Sequence, residues 1–399
     1  MPSVGKNIVR LAEAILISYP LCDWCLGRHF PSFKGEDDET KGRMVRGAVK
    51  AEIKEGQCFI CQGIMHSLKD SSSKVLELLR DYEFNEFLVG AKLPKEVVER
   101  EDDLRARFKL RGGEAIKSAI TREIGKKIAS STNKKVNFRS PDMTVLMDFV
   151  SGAISLNPKP LFVYGRYLKK ARGLPQKRRK CRECGGKGCH ECDYTGFMRE
   201  VSVEQILAQM LTERFKGKGT KFTWVGGESA ESLVLGSGRP FYAEINETKL
   251  RRLDRPEMFK EQDGIVPKEI RIIDKKPRGS PGFIVTVSAR VKFDEEVNED
   301  KLNTLKEVLQ NFEVKVVPLR KKVFTKKIYS FDVKLIDGKE AEMLFRCDGG
   351  LNIKKFIGGS NSGLREEGVL EITPNVSELM GVGANCEVFD VLDVEVLGE

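Results

Sequence analysis

Apolar residues recur every three or four positions at Ile8, Leu11, Ala12, Ile15 and Leu16, which predicts an amphipathic helix near the start of the chain. The polar stretch 34–55 reads as a loop running into a helix, and 74–79 fits either a helix or a strand. A short strand is expected at 86–89. Over 114–129, Ile116, Ala119, Ile120, Ile124 and Ile128 keep helical spacing, and 135–138 and 144–149 then alternate as strands. Beyond residue 200 the pattern is mostly strand, at 269–273, 283–293, 313–317, 328–336, 368–372 and 387–396. Helices are expected to interrupt it at 203–215 and 300–312. That order predicts an α+β protein with a mixed or antiparallel sheet.

The 399 residues suffice for two or three domains, and 40% hydrophobic with 32% charged residues excludes collagen-like and wholly disordered chains. No apolar run nears the roughly 20 residues of a membrane span. The best N-terminal stretch, 11–21, carries Glu13 and lacks a following small-residue cleavage site, so a soluble, cytoplasmic protein is expected. Lysine and arginine exceed aspartate and glutamate by 69 − 59 = 10, which favours a polyanionic partner, nucleic acid foremost. Lys169, Lys170, Arg172, Lys177, Arg178, Arg179, Lys180, Arg182 and Lys187 crowd into one segment that glycines and a cysteine turn interrupt. That shape suits contact with phosphates better than a plain solvated face.

Eight of the ten cysteines form four C-x-x-C pairs: Cys22/Cys25, Cys58/Cys61, Cys181/Cys184 and Cys189/Cys192. In an intracellular chain such pairing points to metal ligation, with two sets of four thiolates and structural zinc, one ion or two. Gly27, Gly63 and Gly186 each stand two places after a pair, where a knuckle asks for a left-handed residue. Four cysteines fill a zinc shell, so the metal is read as structural, and His29, His66 and His190 as bystanders. No organic cofactor is expected.

The run Gly165-Arg166-Tyr167-Leu168-Lys169, Arg172-Gly173-Leu174-Pro175-Gln176, the inner cysteine pairs and Tyr194-Thr195-Gly196 resemble the archaeal tRNA pseudouridine synthase family that modifies two T-loop uridines. Leu235-Gly236-Ser237-Gly238-Arg239-Pro240-Phe241 is similar to that family's L-G-x-G-R-P-F, and Arg346-Cys347-Asp348-Gly349-Gly350 with Ile353 and Lys354 to its R-C-x-G-G-T-Y-I-K-E. The outer cysteine pairs and the 114–127 helix resemble its zinc-bearing, THUMP-like RNA-binding region. The resemblance runs in order along nearly the whole chain. It implies a zinc-knuckle region at 1–70, a THUMP-like domain at 71–160, and a synthase-like domain at 161–399 holding a second knuckle at 181–192. It also implies a tRNA partner, and isomerisation of uridine to pseudouridine at tRNA positions 54 and 55. The alternative is a relative that binds tRNA as a chaperone or processing factor without isomerising it.

In that family an aspartate, acting as nucleophile or base, comes from a G-R-E-D-x-D-x-R stretch before L-G-x-G-R-P-F. Here the stretch is Gly226-Gly227-Glu228-Ser229-Ala230-Glu231-Ser232-Leu233, with Ser229 and Glu231 at the two aspartates. The resemblance thus assigns the catalytic positions to Glu231, Ser229 and Arg239, with Glu231 the carboxylate placed to reach the sugar; otherwise Glu228 and Glu231 merely face solvent. Phe283, Asn352 and Lys354 are assigned to the substrate, Phe283 stacking on the uracil, and Arg166, Tyr167, Lys169, Arg172 and Gln176 to tRNA.

Overall fold

The first apolar stripe folds as α1 (Lys6–Ser18), which buries Ala12, Ile15 and Leu16. The structure is a computed structural model describing residues 4–253, 259–318, 322–359 and 369–398. Its chain divides into two compact units, Met1–Lys159 with Lys249–Arg251, and Pro160–Thr248 with Arg252–Glu399. No helix among the described residues is long and apolar enough to cross a membrane.

In the first unit α2 (Asp23–Gly27), α3 (Asp38–Ala48) and α4 (Leu68–Leu79) follow α1, so the 74–79 segment is helical. Then come β1 (Glu86–Lys92), α5 (Lys95–Arg107), α6 (Ile116–Thr132), β2 (Lys135–Val136), β3 (Met143–Asp148) and β4 (Ile154–Pro158). The sheet order is β2-β1-β3-β4, with β1 parallel to both β2 and β3, and β4 antiparallel. One core joins Phe87 of β1 and the α6 isoleucines to Cys25, Ile60 and Cys61, so the outer cysteine pairs and the sheet share their packing. Helix α5 escapes a periodicity reading because it buries only Val97, Glu101 and Leu104.

The second unit begins with a strand where composition suggested only a basic, glycine-rich stretch: β5 (Leu161–Lys169). After it come α7 (Val203–Phe215), β6 (Thr220–Trp224), β7 (Val234–Ile245), β8 (Ile265–Ile273) and β9 (Phe283–Phe293). The chain continues through α8 (Glu299–Val308), β10 (Phe312–Pro318), β11 (Phe324–Asp337), β12 (Glu340–Asp348), α9 (Ile353–Gly358), β13 (Val369–Thr373), α10 (Val376–Met380) and β14 (Ala384–Val396). The helix expected at 300–312 stops earlier, because Asn311 turns left-handed (φ 51°) and Phe312 already belongs to β10. Residue 368 of the strand expected at 368–372 lies outside the described residues.

Ten strands form one mixed sheet, ordered β13-β10-β11-β12-β9-β14-β7-β5-β8, with β6 also on β7. All its pairings are antiparallel except β14 with β7, which meet in parallel at Val391 and Val234. At that junction the Val391 N–H donates to Leu233 O, the last residue of the loop entering β7. The loop is thereby laid along the seam between the two halves of the sheet.

Candidate functional site

Tyr167 of β5 and Arg239 of β7 are directly opposed, and both side chains are buried. A charged guanidinium placed there needs a counter-charge and acceptors. The loop before β7 supplies them. Arg239 Nη1 donates to Val225 O (2.9 Å) and Nη2 to Gly227 O (3.1 Å), while Nε lies 2.7 Å from Glu228 Oε2. The Glu228 side chain is fully buried, not solvent-facing. Its Oε1 accepts from the Tyr167 hydroxyl (2.6 Å) and its Oε2 from Gln176 Nε2 (3.1 Å). Burial, followed by the Glu228 charge, pushes the Tyr167 phenol well above its usual range, so it stays protonated as a donor.

Gly226 makes the turn possible. Its φ is +78°, and a Cβ there would lie 2.5 Å from both Arg239 Nη1 and Phe283 Cζ. Past Glu228 a second clasp takes over. Lys169 Nζ, buried at the end of β5, donates to Ser229 O (3.1 Å) and Ala230 O (2.7 Å), and burial lowers its pKa to about 8. Arg172 donates to Glu231 O and grips Asp390 with two bonds of 2.8 Å, and Asp390 in turn accepts from Leu233 N (2.8 Å).

Between the clasps Ser229 shares a 2.8 Å hydrogen bond with Ser232 and faces a cavity of about 220 Å³. Arg239, Phe283, Val285, Val287, Phe389, Val391, Asn352 and Lys354 also line it. The Phe283 ring is set tightly: a Cβ on Gly349 would lie 2.4 Å from it. Asn352 caps α9 by accepting from Lys355 N (3.0 Å). Lys354 makes no hydrogen bond or ion pair with the described residues.

The structure therefore brings Ser229, Arg239, Phe283, Asn352 and Lys354 together and leaves Glu231 out. β9 presents Val285 and Val287 to the cavity, but Ser288 and Arg290 to a separate cleft shared with Glu231, Arg172 and Asp390. The exposed Glu231 side chain lies with that second group, away from Ser229. Of the five residues assigned to tRNA, Arg166, Tyr167, Lys169 and Gln176 are buried and bonded inside the unit. Arg166, for example, donates to Tyr164 Oη, Ser237 Oγ, Gly238 O and Val394 O. Sequence reasoning missed Glu228; the signal for it was an arginine inside a strand pattern, which calls for a nearby carboxylate.

The cysteines converge as two quartets, Cys22, Cys25, Cys58 and Cys61, and Cys181, Cys184, Cys189 and Cys192, with all ligand atoms of each within 4.8 Å of one another. Either set can hold one metal ion. The Cys22 and Cys61 sulfurs stand 3.6 Å apart, and the inner pairs Cys181–Cys189, Cys184–Cys192 and Cys189–Cys192 3.7–3.8 Å, far beyond the about 2.05 Å of a disulfide. Burial raises the Cys192 thiol, yet N–H groups of Cys189 and Gly196 aimed at the sulfur outweigh it and bring it down to about 6. Gly63 and Gly186 are left-handed, as a knuckle asks. Gly27 is not; it sits in α2, where a Cβ would lie 1.9 Å from Asp38 O, so close packing explains it.

Comparison with known families matches residues 72–148 to the archaeal Pus10 THUMP domain and residues 162–395 to the Pus10 C-terminal family. The tRNA pseudouridine synthase Pus10 of Nitrosopumilus maritimus is 30% identical over 98% of this chain and 99% of its own length. The tRNA pseudouridine synthase Pus10 of Cenarchaeum symbiosum is 31% identical over 95% and 90%. Among solved structures, a Cbf5-Nop10-Gar1 complex chain is 14% identical with a TM-score of 0.28, over 48% of this chain and 45% of that one, too slight a likeness to inform fold or function.

Proposed function

The chain belongs to the Pus10 family, and on that premise we propose that it is a tRNA pseudouridine synthase, isomerising T-loop uridines at tRNA positions 54 and 55. The observation that carries this reading is the cavity at the seam of the sheet, where Ser229, Arg239, Phe283, Asn352 and Lys354 meet around space for a flipped base. Phe283 offers its ring to the uracil, and Lys354 is a cation for the flanking phosphate. Isomerisation breaks the bond from sugar C1′ to base N1, turns the base and joins C1′ to C5; the C5 hydrogen leaves as a proton and the freed N1 takes one up. Ser229 is the reacting position, and Arg239, Glu228, Tyr167, Gln176, Lys169 and Arg172 hold its loop. Arg166 braces β5 from within, and tRNA is met by the exposed cations between β5 and α7.

A second reading, uridine capture without isomerisation, is favoured by one observation. The carboxylate that lines the cavity, Glu228, is already paired with Arg239, and the group in the reacting position is a hydroxyl. Tritium release from an unmodified tRNA transcript carrying 5-³H uridine separates the two. Release by the wild type supports the synthase, with Ser229→Asp raising the rate. Tight tRNA binding with no release until Ser229→Asp supports capture.

Zinc suits both quartets. Thiolates about 2.3 Å from zinc at tetrahedral corners stand about 3.8 Å apart, close to the sulfur separations found. Two ions per chain are expected by elemental analysis, each of Cys58→Ser and Cys181→Ser lowering the content by one. The ions would act structurally, by fixing their loops.

A further inference from the structure

The inner cysteine quartet presents a side chain that makes no hydrogen bond or ring contact among the described residues. Its last ligands, Cys189 and Cys192, cap and end a single helical turn, His190–Cys192, which is followed by Asp193 at φ 50° and Tyr194 at φ 60°. A left-handed backbone is common for glycine or asparagine; for a bulky aromatic residue it is an outlier. The Tyr194 backbone is firmly placed. Its N–H donates to Cys189 O (2.8 Å), and a Cβ on Gly188 would lie 2.7 Å from its carbonyl oxygen. The side chain is 76% exposed and makes no hydrogen bond or ring contact with the described residues. The fold thus holds a largely exposed ring in water on a strained backbone and gains little packing from it. Strain of that kind marks functional positions when the surroundings fix it, as the quartet does here.

The setting indicates the ligand. Lys187 adjoins Gly188, against which Tyr194 packs, and Arg182 lies between Cys181 and Cys184. Both are exposed and form no ion pair among the described residues, whereas Arg179 and Arg199 are neutralised by Glu200 and Asp193. A rigid, exposed ring on the same cysteine knuckle as two exposed cations is the arrangement that binds single-stranded nucleic acid: ring to base, cations to phosphate. A base within a duplex is already stacked, so the partner is an unpaired nucleotide.

We propose that Tyr194 is a base-stacking residue for an unpaired nucleotide of bound tRNA, with Lys187 and Arg182 on its phosphates. The inference rests on the tRNA reading above and adds a contact outside the cavity. Its test compares wild type, Tyr194→Gly and Tyr194→Trp, each as the full chain with its metal. Affinity for an unmodified tRNA transcript is measured at fixed salt, beside melting temperature and zinc content. Glycine suits the left-handed backbone, so Tyr194→Gly is expected to melt no lower than wild type and keep its metal. It should nevertheless bind tRNA about 5- to 150-fold more weakly. Tyr194→Trp should keep the affinity, with its indole fluorescence quenched on binding. Wild-type affinity in Tyr194→Gly overturns the proposal, while tritium release by the wild type would leave the synthase reading standing. If Tyr194→Gly instead loses stability and affinity together, and Tyr194→Trp recovers neither, the ring is structural and the proposal fails. A wild type that does not bind tRNA removes both readings.

Discussion

Glu228 and Glu231 stand three residues apart in one loop and carry the same carboxylate, yet the fold uses them oppositely. Glu228 is sealed against Arg239, Tyr167 and Gln176. Glu231 lies exposed in the cleft with Arg290 and Asp390, and among the described residues its carbonyl, not its carboxylate, is hydrogen-bonded, by Arg172. The sequence motif offers Glu231 as the carboxylate that reaches the sugar, or else leaves both glutamates facing solvent. Partners decide otherwise: the β7 guanidinium cannot be buried alone, and the Gly226 turn brings Glu228, not Glu231, back over it. Between the two, Ser229 is positioned by its neighbours' charges and carries none of its own.

The largest test of this contrast is Glu228→Gln. Removing one partner of a buried ion pair leaves the other uncompensated and costs about 3–5 kcal/mol. Denaturant unfolding of the second unit should show a loss of that size. Arg239→Met added to Glu228→Gln should recover part of it, because the stranded charge is gone. A loss below about 1 kcal/mol for Glu228→Gln, the range of an exposed pair, would end the claim that this glutamate anchors the loop.

Much of the scaffold could be read from periodicity, and the absence of β5 and α5 from that reading has one cause. α1, α6, α7 and β9 carry apolar residues at the period of their structure and bury that face. β5 buries Arg166 inside the strand and Lys169 at its end, and α5 turns Glu101 inward to pair with Arg28. Where a charged residue takes a core position, hydropathy says surface and the element disappears from view. The site was divided in the same way. Phe283, Asn352, Lys354 and Ser229 follow from motif order along the chain, whereas the Glu228 network depends on contacts across β5, β7 and the loop. The cysteine quartets were legible because metal spacing is local in sequence.

A smaller effect tests the clasp between the two glutamates. Lys169 titrates near pH 8 in the folded chain, below its usual 10.5, because burial disfavours its charge. The unfolded chain therefore binds more protons between those values, and stability from this group rises with pH across that window. Below pH 8 the burial penalty is fully present. The stability of wild type relative to Lys169→Met should climb between pH 8 and 10.5, by at most about 3 kcal/mol. A difference that is flat across that window would mean that Lys169 keeps its charge as easily inside as in water.

The smallest expected effect is the most discriminating for function. Glu231→Ala removes an exposed carboxylate but leaves its carbonyl bond to Arg172 and the Asp390 clasp in place. Stability should change by no more than about 0.5 kcal/mol. Tritium release, where wild type shows it, should also be unchanged, since β9 and β14 separate Glu231 from the Ser229 cavity. Reaction partners must meet at about 3–3.5 Å, and a group on the other side of the sheet cannot do so without rebuilding the loop. If release vanished in Glu231→Ala at normal stability, the loop would have to turn over on binding tRNA. The two glutamates would then exchange roles, and the grip of Arg239 on Glu228 would be the lock that tRNA opens.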